Sequence, residues 1–311
     1  MGRGKFSNGI MTVEGANTNF TIDGTRNWLT IGAEIFSGSG GGNGIVDVRD
    51  GATLVLKEAA PTELLANYLQ VGSHNGSGIL RVVDGSSVVN ENGGTFVSGF
   101  QLAELGLGGA ETVGNGKLLV ASNSTFDAGF FLQVNSGGVL TVNDTSLVEA
   151  TDIQLTSGGI LSGDGTLIGN LEAQSGSIIS PGNSPGKLTI EGNALLDGTL
   201  LIEIGGEFPG IDSDQLVVTG DLELGGTLEI QFVDDFTPDA DFSISLFEAA
   251  AIEGEFNNVV LPDSVAGGFN VSTRSGQVVF QPVPLPGALL MMMSGLCGIF
   301  VARRRSSGGY R

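Results

Sequence analysis

The chain has 311 residues, enough for one large elongated domain or two compact ones, and it carries 52 glycines, 41% hydrophobic residues and a single cysteine. That hydrophobic content excludes disorder for want of core material. Glycine without a three-residue period excludes collagen, and one cysteine excludes an intrachain disulfide. The net charge is −21, with four of the 13 basic residues, Arg303, Arg304, Arg305 and Arg311, in the last nine positions. The acidic body argues against nucleic-acid binding, because phosphate backbones repel it.

The apolar residues stand in short runs between Gly, Asn, Asp and Ser, which is strand-and-turn punctuation. Repetition dominates the first half. "SNGIMTVEGANTNFTIDG" from Ser7, "GNGIVDVRDGATLVL" from Gly42 and "GSGILRVVDGSSVVN" from Gly76 share one pattern. So do "GNGKLLVASNSTFDAG" from Gly114, "SGGVLTVNDTSLVEA" from Ser136 and "SGGILSGDGTLIGNL" from Ser157. Each holds a glycine, a short alternating strand, a polar turn and a second strand. Gly9, Gly44, Gly78, Gly116, Gly138 and Gly159 align, spaced 35, 34, 38, 22 and 21 residues apart. A further short element, "WLTIG", "YLQVG" or "FLQV", stands in the long units, which therefore hold about three strands against two in the short ones. One stretch, "KEAAPTELLANYL" (57–69), has helical spacing, with Pro61 suited to a helix start.

A repeat of this size made of short strands cannot bury its own apolar face; stacking does. The expected fold is all-β: a parallel β-helix or solenoid of Gly-rich repeats over residues 1–194. A row of antiparallel sandwich modules is the competing arrangement. Ile10, Val13, Val46, Val48, Leu80, Val82, Leu118, Val120, Leu140 and Val142 are the expected inward ladder. Two Pro-Gly pairs in "ISPGNSPGKLTIEG" (179–192) demand two turns. Residues 195–281 read as an antiparallel C-terminal β module that caps the solenoid, with hairpins at Gly225-Gly226 and at Arg274–Gly276. Residues 282–311 form a tail.

The stretches "GDGTL", "ISPGNSPGKLTI", "DQLVVTGDLELGGTLEI" and "GEFNNVVLP" resemble the end segment of autotransporter-like β-solenoid passengers and of exported bacterial repeat proteins. The resemblance implies a secreted or surface solenoid and no activity.

The tail reads "VPLPGALLMMMSGLCGIFVARRR" from Val283. Gly287–Ala302 is uncharged and about 24 Å long as a helix; counted from Val283 the stretch reaches about 30 Å, just a bilayer core. Pro284 and Pro286 then fall at the helix start. Arg303–Arg305 stay in the cytoplasm by the positive-inside tendency, which puts the body outside. A Pro motif (Val283, Pro284, Leu285, Pro286), a transmembrane helix over about 286–302 and a basic stop (Arg303, Arg304, Arg305) closely resemble the PEP-CTERM sorting signal of Gram-negative bacteria. "VPLP" departs from the usual "VPEP" by its missing acid, and "SSGGYR" extends past the usual end. The resemblance implies export, insertion through the C-terminal helix, recognition by an exosortase with cleavage near the Pro motif, and transfer to the cell surface, exopolysaccharide or biofilm matrix. The same tail type also goes under the description of an ice-binding protein C-terminal domain; the scattered threonines here give no flat ice-binding array. Met1-Gly2 aligns with Ile31-Gly32 and Val71-Gly72, so the chain is expected to begin inside a repeat, with an export leader encoded upstream.

Chemistry is sparse. His74 is the single histidine and Cys297 lies in the tail, so no Ser-His-Asp, Cys-His or zinc arrangement can form. The glycine-rich "GSGGGNG" (38–44) lacks the Lys-Ser/Thr of a phosphate loop. The acid pairs Asp212/Asp214, Asp234/Asp235 and Asp239/Asp241 read first as solvated turn residues. They also leave open a polysaccharide lyase or glycosidase and a Ca²⁺-dependent adhesin. The expectation is a structural or adhesive surface protein and not an enzyme, with no catalytic residue, no metal site and no cofactor beyond that Ca²⁺ alternative. Its expected partners are the exosortase, transiently, and exopolysaccharide or the cell envelope.

Overall fold

A computed structural model describes residues 8–24, 27–32, 42–58, 67–72, 76–98, 114–239, 242–262, 269–272 and 277–282. All regular structure among them is β. The chain winds in successive coils. The first is β1 (Asn8–Glu14), β2 (Asn19–Gly24) and β3 (Asn27–Ile31); the second is β4 (Asn43–Arg49), β5 (Thr53–Glu58) and β6 (Asn67–Val71). The third is β7 (Ser77–Val82), β8 (Ser87–Asn90) and β9 (Gly93–Val97); the fourth is β10 (Asn115–Val120), β11 (Thr125–Asp127) and β12 (Phe131–Val134). The fifth and sixth have two strands each, β13 (Gly138–Val142) with β14 (Leu147–Leu155), and β15 (Ile160–Gly163) with β16 (Thr166–Ala173). Then come β17 (Ile178–Pro181), β18 (Lys187–Glu191) and β19 (Ala194–Leu196), followed by β20 (Thr199–Ile204), β21 (Gln215–Val218) and β22 (Asp221–Leu224). The last coil is β23 (Thr227–Phe232), β25 (Phe247–Glu248) and β26 (Ala251–Gly254), with β24 (Ser243–Ser245) inserted, and β27 (Asn258–Val260) follows.

Each coil adds one parallel rung to every face. The leading strands form a ten-stranded sheet, β1-β4-β7-β10-β13-β15-β17-β20-β23-β27. The second and third strands form two faces of a 16-stranded sheet. These faces join because β14 and β16 are single strands that serve both, with a register shift between Glu149 and Asp152 at the bend. The short units hold two strands, as their sequence suggests: a leading strand and one long strand that bends to serve both faces. The fold is solenoid-like, and the sandwich alternative fails on its parallel registers.

The core is a set of axis-parallel columns. One runs from Met11 through Val46, Leu80, Leu118, Leu140 and Leu161; another joins Val13, Val48, Val82, Val120 and Val142. Each inward Leu or Val contributes roughly 1.5–3 kcal/mol when buried, and its neighbours along the column supply the cover. The expected ladder holds except at Ile10, which is 74% exposed. Strand side chains alternate, so Val13 inward requires Met11 inward and Ile10 outward. The other expected pairs were two residues apart, and the Ile10/Val13 pair was three.

The switch to antiparallel pairing expected at residue 195 does not occur there. β20, β22, β23, β26 and β27 continue the parallel stacks. Gly225-Gly226 is no hairpin: it is a coil corner that sends β22 to one sheet and β23 to the other. A Cβ on Gly226 would stand 2.0 Å from the Gly198 carbonyl oxygen, which is why glycine is needed at that corner. Among the described residues, antiparallel strand pairing joins β24, β28 (Phe269–Ser272) and β29 (Gln277–Pro282), and isolated antiparallel bridges link Gly163 to Gly182 and Ile204 to Ser213. β28 and β29 pair antiparallel, while their turn at Arg274–Gly276 lies outside the described residues. Phe280 of β29 packs against Phe232 of β23 and Phe242, at centroid distances of 5.9 and 5.8 Å. Of the helix expected over 57–69, Lys57–Glu58 and Asn67–Leu69 are strand, and 59–66 lie outside the described residues.

Candidate functional site

The corners between the second and third strands generate a groove. At successive coils this corner reads Gly169-Asn170-Leu171, Gly192-Asn193-Ala194 and Gly220-Asp221-Leu222. The glycines let the backbones close on one another: a Cβ on Gly192 would stand 2.2 Å from the Gly169 carbonyl oxygen. The next residue then tethers the coil above. The Asn193 N–H donates to Asn170 Oδ1 at 3.1 Å, and the Asp221 N–H donates to Asn193 Oδ1 at 2.9 Å.

Two positions on, outward side chains make a second column. Gln133 Nε2 donates to Gln154 Oε1 at 3.2 Å, and Gln154 Nε2 donates to Glu172 Oε2 at 3.3 Å. Gln174 Nε2 occupies the other Glu172 oxygen at 3.2 Å. Leu195, Glu223 and Glu253 continue that column. Between the columns lies a groove of about 540 Å³, lined over five coils from Asp152 to Glu253. At a rung spacing of roughly 4.8 Å it extends for about 19 Å along the stack. Asp152, Glu172, Asp221, Glu223 and Glu253 bring five carboxylates to it, and none of its lining residues is basic. Glu223 and Glu253 are register partners and both exposed. A glycosidase pair needs two carboxyls in unlike environments, which these two do not have. Asn193→Ala should remove the acceptor of the Asp221 N–H and lower stability by about 1 kcal/mol in a denaturant melt. Asn193→Asp, which keeps an oxygen there, should recover most of the loss.

The acid pairs singled out from sequence do not converge. Asp212 Oδ1 accepts from the Phe208 N–H at 2.6 Å and closes a turn that leaves Phe208 and Ile211 exposed at its tip. Asp214 is fully buried and is not a solvated turn residue. Its Oδ1 accepts from the Gly186 N–H at 3.0 Å and its Oδ2 from the Glu203 N–H at 2.9 Å. It thereby ties the second Pro-Gly turn to β20. That turn also contains the cis Ser184-Pro185 bond. Burial pushes the Asp214 carboxyl up to about 7, against the two backbone donors that favour its charged form. Asp234 and Asp235 are adjacent left-handed turn residues (φ 52° and 57°). Asp239 is exposed, and Asp241 lies outside the described residues. Among the described residues no group of three or more His, Cys, Asp or Glu is placed to hold a metal ion.

His74, residues 38–41 of the glycine-rich stretch, Val283–Pro286 and Arg303–Arg305 lie outside the described residues. Among the described residues no helix is long and apolar enough to cross a membrane. Reading acids as sequence-adjacent pairs missed the groove. Its signal is present in the chain as the recurring Gly-Asn/Asp-Leu/Ala triplet at residues 169, 192 and 220. Compared with known proteins, the chain matches no family model and no curated protein.

Proposed function

We propose that this chain is a structural or adhesive protein of the bacterial cell surface. In this reading the acidic solenoid is exported, held in the membrane by a helix over about 286–302, and released by an exosortase near Val283–Pro286 to the surface or its exopolysaccharide. Arg303–Arg305 act as the cytoplasmic stop. The tail sequence supports the route.

For the role of the body, the observation that carries the reading is the make-up of the groove. Amides and carboxylates repeat coil after coil along about 19 Å, with no basic lining residue. Repeated hydrogen-bonding groups at a fixed rung suit an extended, hydroxyl-rich chain better than a single reacting bond, where acid, base and nucleophile must converge. Surface proteolysis of intact producing cells, with a pull-down on their own exopolysaccharide, tests this. Protease should shave the body from intact cells, and Glu223→Lys with Asn193→Ala should weaken retention on the polysaccharide without lowering the melting temperature by more than a few degrees. A body reached only after lysis, or retention blind to both substitutions, contradicts the reading.

A further inference from the structure

We propose, resting on the exopolysaccharide reading of the groove, that its ligand is a glycan whose sugars carry free ammonium groups, and that an aromatic patch next to the groove extends the binding face. No lysine or arginine stands on any third strand of the solenoid, from β3 to β26. The groove's Asp152, Glu172, Asp221, Glu223 and Glu253 therefore have no basic residue on the strands around them. None of the five is ion-paired among the described residues. The ten-stranded sheet is built the other way: there Arg49 holds Glu14 and Arg81 holds Asp47 across neighbouring strands.

Charge left uncompensated in this way works against the fold. Glu223 and Glu253 are register partners on adjacent strands, and like charges so placed destabilise a sheet. Glu172 has both oxygens occupied, but by the neutral amides of Gln154 and Gln174, so its charge is not cancelled. The acids do not converge on one point: among the described residues no three are placed to hold a metal ion. They recur along the stack instead, where a polymer with an ammonium group on each sugar would meet them in charge-assisted hydrogen bonds. A polyuronate would meet repulsion.

The aromatic patch continues the same face in the preceding coils. Phe131 of β12 is the register partner of Asp152, and Phe96 of β9 is that of Gln133. The Phe131 ring lies in the notch left by Gly94, where a Cβ would stand 2.1 Å from its Cζ. Phe96, buried beside it, meets Phe131 edge-on at a centroid distance of 5.0 Å and stacks on Tyr68 at 6.2 Å. Phe131 and Tyr68 are themselves partly exposed. An aromatic face offers apolar area to the C–H side of a sugar ring and attracts a ligand cation. From Tyr68 to Glu253 the face runs over eight strands, on the order of 34 Å at roughly 4.8 Å a rung. Platform and acids thus lie along one line, as an extended chain requires.

Isothermal titration of the full chain with a glucosamine hexamer tests the site. Retention on the cells' own exopolysaccharide, before and after acetylation of its amines, tests the source. The glucosamine hexamer should bind, and its N-acetylated counterpart should bind about tenfold more weakly, as should a variant with Glu223→Gln and Glu253→Gln. Phe131→Leu, which keeps an apolar side chain over Gly94, should weaken the glucosamine hexamer by about fivefold with an unchanged circular dichroism spectrum. A lysine hexamer, which has ammonium groups and no sugar ring, should bind less tightly than the glucosamine hexamer. Acetylated exopolysaccharide should no longer retain the wild type. Equal affinity for the two sugar hexamers overturns the proposal, as does a lysine hexamer bound as tightly as glucosamine. Retention that survives acetylation overturns it and leaves the exopolysaccharide reading in place. Binding of the glucosamine hexamer without retention on untreated exopolysaccharide upholds the chemistry of the site and overturns that reading instead.

Discussion

Asp214→Ala is expected to destabilise the protein by about 2–4 kcal/mol. Its carboxylate accepts from the N–H groups of Gly186 and Glu203, and each buried donor left without an acceptor costs roughly 1–3 kcal/mol. The loss should concentrate around the Pro-Gly turns and β20, and hydrogen exchange at Gly186 and Glu203 should report it first. The same residue makes stability pH-dependent. Its folded pKa, about 7, lies above the unfolded value of roughly 3.9, so between these limits the folded state holds the extra proton. The contribution of this group is complete below about pH 4 and is lost as pH rises through about 7. Asp214→Asn, which does not titrate, should flatten the melting temperature across that window. Its amide turns a donor toward one of the two N–H groups, so it should remain less stable than wild type in mild acid. A wild-type melting curve that climbs steadily from pH 4 to 7, with the same slope in Asp214→Asn, would contradict this.

Gly116→Val is expected to have the larger effect and to abolish folding of the middle coils. Gly116 follows the corner that starts β10. A Cβ there would stand 2.0 Å from the Val71 carbonyl oxygen and 2.5 Å from the Ser98 nitrogen. Both are backbone atoms of neighbouring coils and cannot swing aside. The Ser98 N–H itself donates to the Val71 carbonyl, so the intruding carbon would push apart a pair of coils already hydrogen-bonded. Loss of a sheet rung in mid-stack exposes inward columns on both sides. The change should exceed the usual 0.5–3 kcal/mol of a point substitution and show as insoluble expression or a collapsed denaturant transition. Gly85→Ala, where a Cβ meets nothing within 4 Å, is the control: it should cost only the strain of a left-handed backbone (φ 70°).

The sixfold glycine alignment was the most legible feature of the chain, and its physical meaning is the close approach seen at Gly116. Gly44, Gly78, Gly138 and Gly159 meet neighbouring backbone in the same way, at 2.2–2.4 Å from the nearest atom. A constraint imposed by the coil on every turn leaves a repeat in the text. Inward pairs were legible for the same reason, and the Ile10 error came from breaking their two-residue parity. Corners are less legible, because a glycine pair between two short strands reads alike whether the chain reverses within one sheet or passes to another. At Gly225-Gly226 only the pairing partners, Asp197's neighbourhood on one side and the β26 rung on the other, separate the two. The groove was hidden because its residues are neighbours along the stack, 18 to 30 residues apart in the chain, and each one alone is an ordinary exposed polar residue. Asp214 was hidden because an acid in "DSDQ" looks solvated; its burial depends on a turn 28 residues upstream.

The proposed role is that of an acidic structural solenoid delivered to the outside by its tail. The most direct measurement is the intact mass of the protein recovered from two otherwise identical Gram-negative hosts, one with an exosortase and one without. The account predicts a C-terminus near Val283–Pro286 only in the first host, with the second retaining the tail through Arg311 in its membrane fraction. The same mass from both hosts, with the tail intact or clipped elsewhere, would contradict it.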